Sequence, residues 1–213
     1  MIGVTVGAGS KYEEFARRAM DNVKKYTGLD SICIKNNTVV PASAPFLKLD
    51  IWDHTDAENV FFFDADIVMF RKWDVSVYKN LPSIIAVSDI LSEVYFAEHL
   101  VNCPEIKPGR YFNTGVMILN RTHHEKVFKE AKRLVSEAPY LSSFVYEQSY
   151  FNQAVHNLDV PVALLPDKYN YIGYETLRPA PSPDHTVIAH CAGGVQFDKH
   201  EWFERVKGRC QPI

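Results

Sequence analysis

Segments with strand-like and helix-like patterns alternate along this chain, and the alternation limits its fold more than any other feature of the sequence. Short apolar runs are typical of buried strands, and the capped or amphipathic stretches between them are typical of helices. Strands are predicted at residues 2–6, 31–34, 60–63, 84–87, 116–119, 162–165 and 187–189. This order predicts an α/β fold with a mostly parallel central sheet and helices on both of its faces.

Three helices are predicted from the residues that begin them. Two begin at a capping box, in which a hydroxyl and a carboxylate three residues apart bind free N–H groups of the first turn. The capping boxes are Ser10 with Glu13 and Thr122 with Glu125. A further helix is expected over residues 45–52, because Pro45 suits a first helical position, where its missing N–H would have no partner.

Size and charge exclude several classes of protein. The chain has 213 residues and a net charge of -3, so no basic surface for nucleic acid or an anionic membrane is expected. No segment approaches the ~20 apolar residues of a membrane span, and the N-terminus lacks the basic-then-apolar order of a secretory signal. The four cysteines form no C-x-x-C pair, which favours a reducing compartment. We therefore expect one cytoplasmic domain over residues 1–213.

Two aspartates, Asp64 and Asp66, interrupt the apolar stretch VFFFDADIVMF at residues 60–70. An ionised carboxylate in apolar surroundings costs several kcal/mol, so it must be solvated, hydrogen-bonded or neutralised by a cation. A turn whose two aspartates face water is one explanation. However, ligands of parallel sheets bind beyond the carboxyl ends of the strands, which is where these aspartates lie. Their position favours a functional site.

The turn after the first strand has the sequence GAGSKY, residues 7–12. A dinucleotide-binding loop requires a third glycine where this chain has Tyr12, so an NAD site is not expected. The turn also resembles the glycine-rich loop of sugar nucleotidyltransferases, which keeps that class as an alternative. Tyr12 either packs on the core or stacks on a nucleobase, and the small residues before it would let a ligand approach the backbone.

Eight motifs in order resemble those of GT-A glycosyltransferases, most closely the retaining family 8 that includes glycogenin and bacterial galactosyltransferases. A lone D-x-D motif is weak evidence, but eight motifs in order over nearly the whole chain are specific. The motifs are VTVGAGSKY (4–12), FLKL (46–49), FFFDAD (61–66), AVSD (86–89), FNTGVMILN (112–120), EQSYFN (147–152), LPDKYN (165–170) and HCAGG (190–194). Less closely, the chain resembles the N-terminal domain of a multidomain glycan-building protein of chlorella viruses. A viral origin would place the enzyme in the host cytosol.

The resemblance implies a metal site. The hard step of sugar transfer is breaking the bond between the anomeric carbon and a diphosphate, whose developing charge a divalent cation stabilises. Asp64 and Asp66, one residue apart after a strand, can both reach one hard cation. The resemblance implies that His190 is the third protein ligand and that Asp64 also touches the ribose. An imidazole among oxygen ligands favours Mn²⁺, with Mg²⁺ as the alternative. Taken alone, without the resemblance, His190 is better explained as a hydrogen-bonded histidine that closes a strand.

The resemblance also implies contacts with the donor and the reacting atoms. Asn113 and Thr114 would lie under the donor sugar, and Asp89 near its hydroxyls or the acceptor. The residues implied in catalysis are Gln148, Glu147 and Asp89, and those implied in donor binding are Ala8, Tyr12, Lys48, Asp64, Ala65, Asn113, Thr114, Gly193 and Lys199. Lys48 or Lys199 would offset phosphate charge, with a solvated lysine as the alternative for each. For the others, the alternatives are a strand-edge asparagine, a turn aspartate and a polar first helical turn.

Four positions depart from the family pattern. Gly9 stands where relatives carry an Asn or Asp that can read the base, so a uridine preference rests on Tyr12 and on the resemblance. Ser149 replaces a common acidic residue, and Glu147 stands where an aspartate is usual, so the identity of the donor sugar does not carry over. Lys199 follows the histidine at a longer spacing than the family's lysine does, which weakens its phosphate role.

We expect a metal-dependent retaining glycosyltransferase that takes a hexose or deoxyhexose, of glucose, galactose or rhamnose type, from a UDP-sugar. The acceptor would be a glycan or a protein-linked sugar. Retention without an assured carboxylate nucleophile suggests front-side attack, in which Glu147 or Gln148 supports the oxocarbenium-like carbon. The alternatives are a sugar nucleotidyltransferase and a sugar-nucleotide or glycan-binding domain without turnover. The chain ends soon after its last motif, so further domains can follow it in a longer protein.

Overall fold

A six-stranded sheet forms the centre of the molecule. The computed structural model describes residues 1–35, 44–89, 110–137, 146–172, 181–192 and 201–202. The strands are β1 (Ile2–Val6), β2 (Ser31–Ile34), β3 (Asn59–Phe63), β4 (Ile67–Met69), β5 (Ile84–Ser88), β6 (Phe112–Asn120), β7 (Val162–Leu165), β8 (Tyr171–Ile172) and β9 (Ile188–His190). The central sheet has the order β2-β1-β3-β6-β5-β7.

The central sheet is mixed but mostly parallel, as predicted. β1 pairs parallel with both β2 and β3, and β5 pairs parallel with β7. β6 runs antiparallel between β3 and β5, with Phe63 opposite Val116. The start of β6 therefore lies beside the carboxyl ends of its neighbours. This brings a polar segment from the beginning of one strand to the edge where the others end.

Helices cover both faces of the sheet, which confirms the predicted fold class. They are α1 (Ser10–Thr27), α2 (Ile51–His54), α3 (Arg121–Glu137) and α4 (Tyr146–Asn157). Val23 of α1 packs in one cluster with Phe61 and Phe63, whereas Phe62 faces the opposite cluster, which includes Phe151 of α4. This division follows from the period of two along β3. Among the described residues, no helix is both long enough and apolar enough to cross a bilayer.

Most of the segment 45–52, where an α-helix was predicted, is a 3-10 helix. A 3-10 helix occupies Ala44–Asp50, and only the last turn, α2, is α-helical. Leu47, Leu49 and Ile51 are buried in the core within this segment. Lys48 and Asp50 between them are buried as well, so the segment lies inside the protein and is not an amphipathic surface helix.

The helix caps also differ from the prediction. Gly9, not Ser10, is the N-cap of α1, and its carbonyl accepts from the N–H of Glu13 at 3.0 Å. Gly9 has φ 83°, a conformation that favours glycine, and it turns the chain from β1 into the helix. The capping box predicted at Ser10 is therefore wrong in its cap residue.

Asn120, not Thr122, caps α3. Its side-chain oxygen accepts from the N–H of His123 at 3.1 Å, the usual geometry of an asparagine cap. The N–H of Thr122 instead donates to a carboxylate oxygen of Glu58 at 3.2 Å. The predicted helix exists, but it begins at Arg121, directly after β6 ends at Asn120, which is two residues earlier than a Thr122 cap would allow.

A second sheet of three short strands, in the order β4-β9-β8, lies next to the end of β3. β4 pairs antiparallel with β9, and β8 pairs parallel with it. Neither β4 nor β8 was predicted, since strands of three and two residues carry too little pattern. Pairing within this small sheet positions the end of β9, where His190, a predicted site residue, lies.

Candidate active site

The ends of β3 and β9 meet at the carboxyl edge of the central sheet. The chain leaves β3 at Asp64, whose N–H donates to the carbonyl of Gly115 at 2.8 Å, and then turns into β4. The N–H of Cys191 donates to the carbonyl of Asp66 at 2.9 Å, which fastens the end of β9 to that turn. His190 is thereby placed beside both aspartates, although the sequence separates them widely.

These three side chains form a group suited to a cation. Nε2 of His190 lies 3.5 Å from Oδ2 of Asp64 and 3.3 Å from Oδ1 of Asp66. One ligand atom from each residue lies within 4.8 Å of the others. The histidine is buried, Asp66 is nearly so, and Asp64 is 29% exposed. The aspartates thus face a buried imidazole, and the more open carboxylate gives access from solvent.

Gly115 makes this close arrangement sterically feasible. A Cβ atom at this position would lie 2.2 Å from Cε1 of His190 and 2.8 Å from Oδ2 of Asp64. Both contacts are far shorter than carbon atoms tolerate, so any side chain here would displace a member of the group. The small residue at the start of β6 is therefore required by the imidazole that packs over it.

Lys48 is buried beside the same aspartate. Its Nζ lies 3.2 Å from Oδ1 of Asp64, 2.5 Å from Oε1 of Glu147 and 3.2 Å from Oγ1 of Thr114. Burial alone would lower the pKa of Lys48, but the carboxylates of Asp64 and Glu147 outweigh it, so the pKa of Lys48 is raised. The alternative of a solvated lysine does not describe this residue. It is a buried ammonium that holds two acidic residues together.

A buried hydrogen-bond network continues from there toward β5 and α4. Oδ2 of Asp89 accepts from Nδ2 of Asn113 at 3.2 Å and from Nε2 of Gln148 at 2.7 Å. Oε1 of Gln148 accepts from the N–H of Thr114 at 3.0 Å. The N–H of Gly115 donates to Oδ1 of Asn113 at 2.8 Å. The structure thus joins these polar residues to the Asp-Asp-His group along one edge of the sheet.

The comparison with known protein families identifies the kind of protein to which this site belongs. The family described as Glycosyl transferase family 8 matches residues 9–195, which is most of the chain. The chain belongs to glycosyl transferase family 8. The resemblance inferred from the eight motifs is confirmed, and so is the assignment of the chain to the glycosyltransferase enzymes.

Solved family 8 and related structures share the GT-A fold. The galactosyltransferase LgtC, solved in complex with donor and acceptor sugar analogs, is 14% identical with a TM-score of 0.69, covering 100% of this chain and 98% of its own. A glycosyltransferase involved in glycosylation of the major capsid of PBCV-1 is 14% identical with a TM-score of 0.63, covering 97% of this chain and 100% of its own. At these identities the likeness establishes the fold alone.

One curated relative of the family 8 chain is a plant enzyme. Galactinol synthase 6 of Arabidopsis thaliana is 23% identical over a region that covers 73% of this chain and 51% of the relative. The chain therefore spans about half the length of that protein.

Tyr12 lies in the first turn of α1, at the carboxyl end of β1 and next to the end of β3 in the sheet. Its side chain is 43% exposed, and its ring packs edge-on against Phe15 at 6.4 Å between centroids. Ala8 is half-buried, and Ala65 is buried. The ring therefore contacts the core and is also partly exposed to solvent.

Two predicted donor-binding residues, Gly193 and Lys199, lie outside the described residues. Their roles stay predictions. All other predicted site residues lie in the described part of the chain, at or near the carboxyl edge of the sheet.

Two asparagines in this family 8 site were missed by sequence reasoning. Asn152 donates to the carbonyls of Phe112 and Gln148, both at 2.9 Å, and so fastens α4 to β6. Its spacing of four from Gln148 on a helix could have revealed a shared face. Asn170, which bonds to His190 at 2.9 Å, ends the motif LPDKYN, but that motif does not indicate a contact with a histidine 20 residues further along the chain.

The residues present fit the divalent cation that family 8 implies. Nδ1 of His190 is engaged by Asn170, so Nε2 is the nitrogen that faces the two carboxylates. Two carboxylates and one imidazole are a donor set that Mn²⁺ accepts readily. The carboxylate of Asp66, which is nearly buried, is also the kind of charge that requires a cation or hydrogen-bond donors nearby.

Proposed function

We propose that this family 8 enzyme is a metal-dependent retaining glycosyltransferase that moves a hexose or deoxyhexose from a UDP-sugar to a glycan or a protein-linked sugar. The observation that carries the proposal is the meeting of Asp64, Asp66 and His190 next to a buried polar network at the carboxyl edge of the sheet. Residues 1–213 act as one catalytic domain in this proposal.

Asp64, Asp66 and His190 hold the metal, Mn²⁺ in the first place and Mg²⁺ as the alternative. When bound, the cation acts as a Lewis acid that stabilises the negative charge of the leaving diphosphate. Lys48 remains cationic between Asp64 and Glu147, so it keeps these carboxylates from repelling an incoming anion. The site therefore offers a diphosphate a partly neutralised surface even though it is rich in carboxylates.

The nucleoside binds over the turn between β1 and α1. The exposed side of Tyr12 stacks on the base, and the small residues Ala8 and Ala65 admit the nucleotide close to the backbone. Asp64 also binds the ribose. Gly193 and Lys199 complete the donor site as the family resemblance implies.

The sugar lies over the start of β6. Asn113 and Thr114 bind beneath it, and Asp89 accepts from its hydroxyls or from the acceptor. Two amide donors already hold Asp89, so its carboxylate is oriented before substrate arrives. Such preorganised groups avoid reorganisation during the reaction.

The reaction proceeds with retention by front-side attack. Oε1 of Glu147 accepts from both Lys48 and the hydroxyl of Thr114, so its negative charge is already engaged. A carboxylate whose charge is engaged in this way is a weaker nucleophile, which favours front-side attack over a covalent intermediate. Gln148 is held at both ends of its amide and positions the same face of the ring.

A screen of nucleotide sugars with Mn²⁺ tests the proposal, with release of free nucleotide as the measurement. The galactosyltransferase and galactinol synthase among its relatives suggest UDP-galactose as the first donor. Release of UDP supports transfer or hydrolysis. Release of pyrophosphate from a nucleoside triphosphate and a sugar phosphate would instead identify a nucleotidyltransferase. Binding without release from any donor would identify a binding domain.

A further inference from the structure

Asn170 lies behind the Asp-Asp-His group and has no role assigned above. It follows the 3-10 helix Asp167–Tyr169 and precedes β8, which pairs parallel with β9 so that Ile172 lies opposite His190. Its side chain is buried, with 1% exposure, and its Oδ1 lies 2.9 Å from Nδ1 of His190. A buried amide in this position controls one nitrogen of the imidazole.

The direction of the hydrogen bond between Asn170 and His190 follows from the backbone N–H of Gly115. This group is linked to Asn170 through the side chain of Asn113. The N–H of Gly115 is always a donor, and the side-chain atom of Asn113 that it reaches at 2.8 Å must therefore be the oxygen. The other end of that amide is then the nitrogen, which matches its contact with the carboxylate of Asp89 at 3.2 Å. The orientation of Asn113 is thus determined by its two neighbours.

The same reasoning extends to the next amide. Oδ1 of Asn113 also receives a contact of 2.8 Å from Asn170, and only the Nδ2 end of Asn170 can donate to it. The Oδ1 end of Asn170 consequently faces His190. An oxygen accepts, so Nδ1 of the imidazole must carry a proton.

A proton on Nδ1 has a direct consequence for the opposite nitrogen. In the neutral ring, Nε2 then carries the lone pair, and this atom lies 3.3 Å from Asp66 and 3.5 Å from Asp64. Three electron-rich atoms converge on one point, which suits a cation. A ring with its proton on Nε2 would instead donate to Asp66 and could not bind a metal there.

We infer that Asn170 is a positioning residue that holds His190 in the Nδ1–H tautomer, with Nε2 available as a metal ligand. Outer-shell partners of this kind orient a histidine ligand, and their loss costs roughly 10- to 100-fold in metal affinity. The inference rests on the proposed metal site for its functional meaning, but the tautomer is a property of the metal-free protein.

The first experiment therefore measures the tautomer without metal. Long-range ¹H–¹⁵N correlation spectra of ¹⁵N-labelled protein are recorded at a pH at which the ring is neutral, and the His190 signals are assigned by their loss in His190→Gln. A protonated Nδ1 and an unprotonated Nε2 are expected. In Asn170→Ala the proton is expected to move to Nε2, where Asp66 accepts it. A wild-type ring protonated on Nε2 would overturn the inference.

The second experiment measures Mn²⁺ affinity from the electron paramagnetic resonance signal of the free ion. Asn170→Ala is expected to weaken binding about 10- to 100-fold. Asn170→Asp keeps an acceptor for Nδ1–H but loses the donor to Oδ1 of Asn113, so it should bind Mn²⁺ more tightly than the alanine variant and less tightly than wild type. Equal affinity in Asn170→Ala and wild type, with folding intact, would refute a positioning role.

Asn59→Ala serves as the matched control for lost stability. Asn59 is a buried asparagine at the opposite end of β3, and its amide bonds to Asn80 at 2.9 Å and 2.8 Å. The control should lower the melting temperature and leave Mn²⁺ affinity unchanged. If wild-type protein binds no Mn²⁺, the proposed metal site fails, and the NMR spectra still decide whether Asn170 sets the tautomer.

Discussion

Gly115 and His190 are packed so closely that a methyl group on Gly115 would lie 2.2 Å from the imidazole ring. The start of β6 and the end of β9 are distant in sequence and belong to different sheets. Their contact shows that the geometry of the Asp-Asp-His group depends on a residue that has no functional atoms of its own.

Gly115→Ala is therefore expected to displace His190 and to weaken Mn²⁺ binding on the order of tenfold or more, as other disturbances of ligand orientation do. Gly3→Ala is the matched control, because its Cβ would lie 2.2 Å from Oγ of Ser31, away from the site. Overpacking of this kind costs about 1–3 kcal/mol of stability in either variant. Titration calorimetry and thermal unfolding measure the two effects. Equal Mn²⁺ affinity in both variants would contradict the prediction.

Removal of the metal is expected to abolish donor turnover. EDTA should stop nucleotide release, and Mn²⁺ should restore it. Asp66→Asn should also abolish donor turnover, because an amide in place of the carboxylate lowers the charge that attracts the cation. Asp184→Asn, at an exposed position, is the control. Full activity of the enzyme in EDTA or of the Asp66→Asn variant would exclude the metal role.

Tyr12→Ala is expected to weaken UDP binding by ~1–3 kcal/mol, the range for base–aromatic stacking. Because the side chain is 43% exposed, little stability should be lost with it. Tyr12→Phe keeps the aromatic face and should bind UDP almost as wild type does. Calorimetry with UDP measures all three proteins. Unchanged affinity in the alanine variant would assign the ring to packing against Phe15.

The product should retain the anomeric configuration of the donor, as shown by NMR of the freshly formed glycoside. Glu147→Gln is expected to be partly active, because front-side attack needs charge stabilisation and no covalent bond to this residue. Gln148→Ala should be slowed but active. An inverted product would refute the mechanism. A dead Glu147→Gln variant that still folds and binds donor would show that the carboxylate is essential.

His124 should make the protein less stable in acid. Burial is the main cause that lowers the pKa of His124 from its ordinary value of 6.5. Nδ1 accepts from the N–H of Asn120 at 2.9 Å and Nε2 contacts the carbonyl of Pro82 at 3.0 Å, so protonation would break the first bond. The unfolded chain then binds more protons than the folded one below pH 6.5. As the pH falls below 6.5, the free energy of unfolding therefore decreases by up to about 1.4 kcal/mol per pH unit. The decrease ends when the pH reaches the lowered pKa of His124 in the folded protein.

Urea unfolding at several pH values tests the role of His124. His124→Gln should be less stable near neutral pH, and its free energy of unfolding should fall less steeply between neutral and acid pH. His156→Gln removes an exposed histidine and should keep the slope of the wild type. A wild-type slope in His124→Gln would show that this histidine does not cause the acid sensitivity.

The sequence by itself determined the elements of the central sheet and the family. The strands at Ile2–Val6, Ser31–Ile34 and Val162–Leu165 were predicted at the bounds that the structure shows. This was feasible because the spacing of apolar side chains is a local property of a strand or helix. The family could likewise be inferred from the order of eight short motifs, each of which is contiguous in the chain.

Tertiary structure alone decided how the candidate site is assembled. Lys48 meets Glu147 across 99 positions of the chain, and Asn170 meets Asn113 across 57. No local pattern encodes such pairs, because they depend on which strand lies beside which and on the antiparallel course of β6. The short strands β4 and β8 form only because β9 supplies their hydrogen-bond partner. Burial of Lys48 and the tautomer of His190 follow from these neighbours, since a side chain's charge and protonation depend on the atoms packed around it.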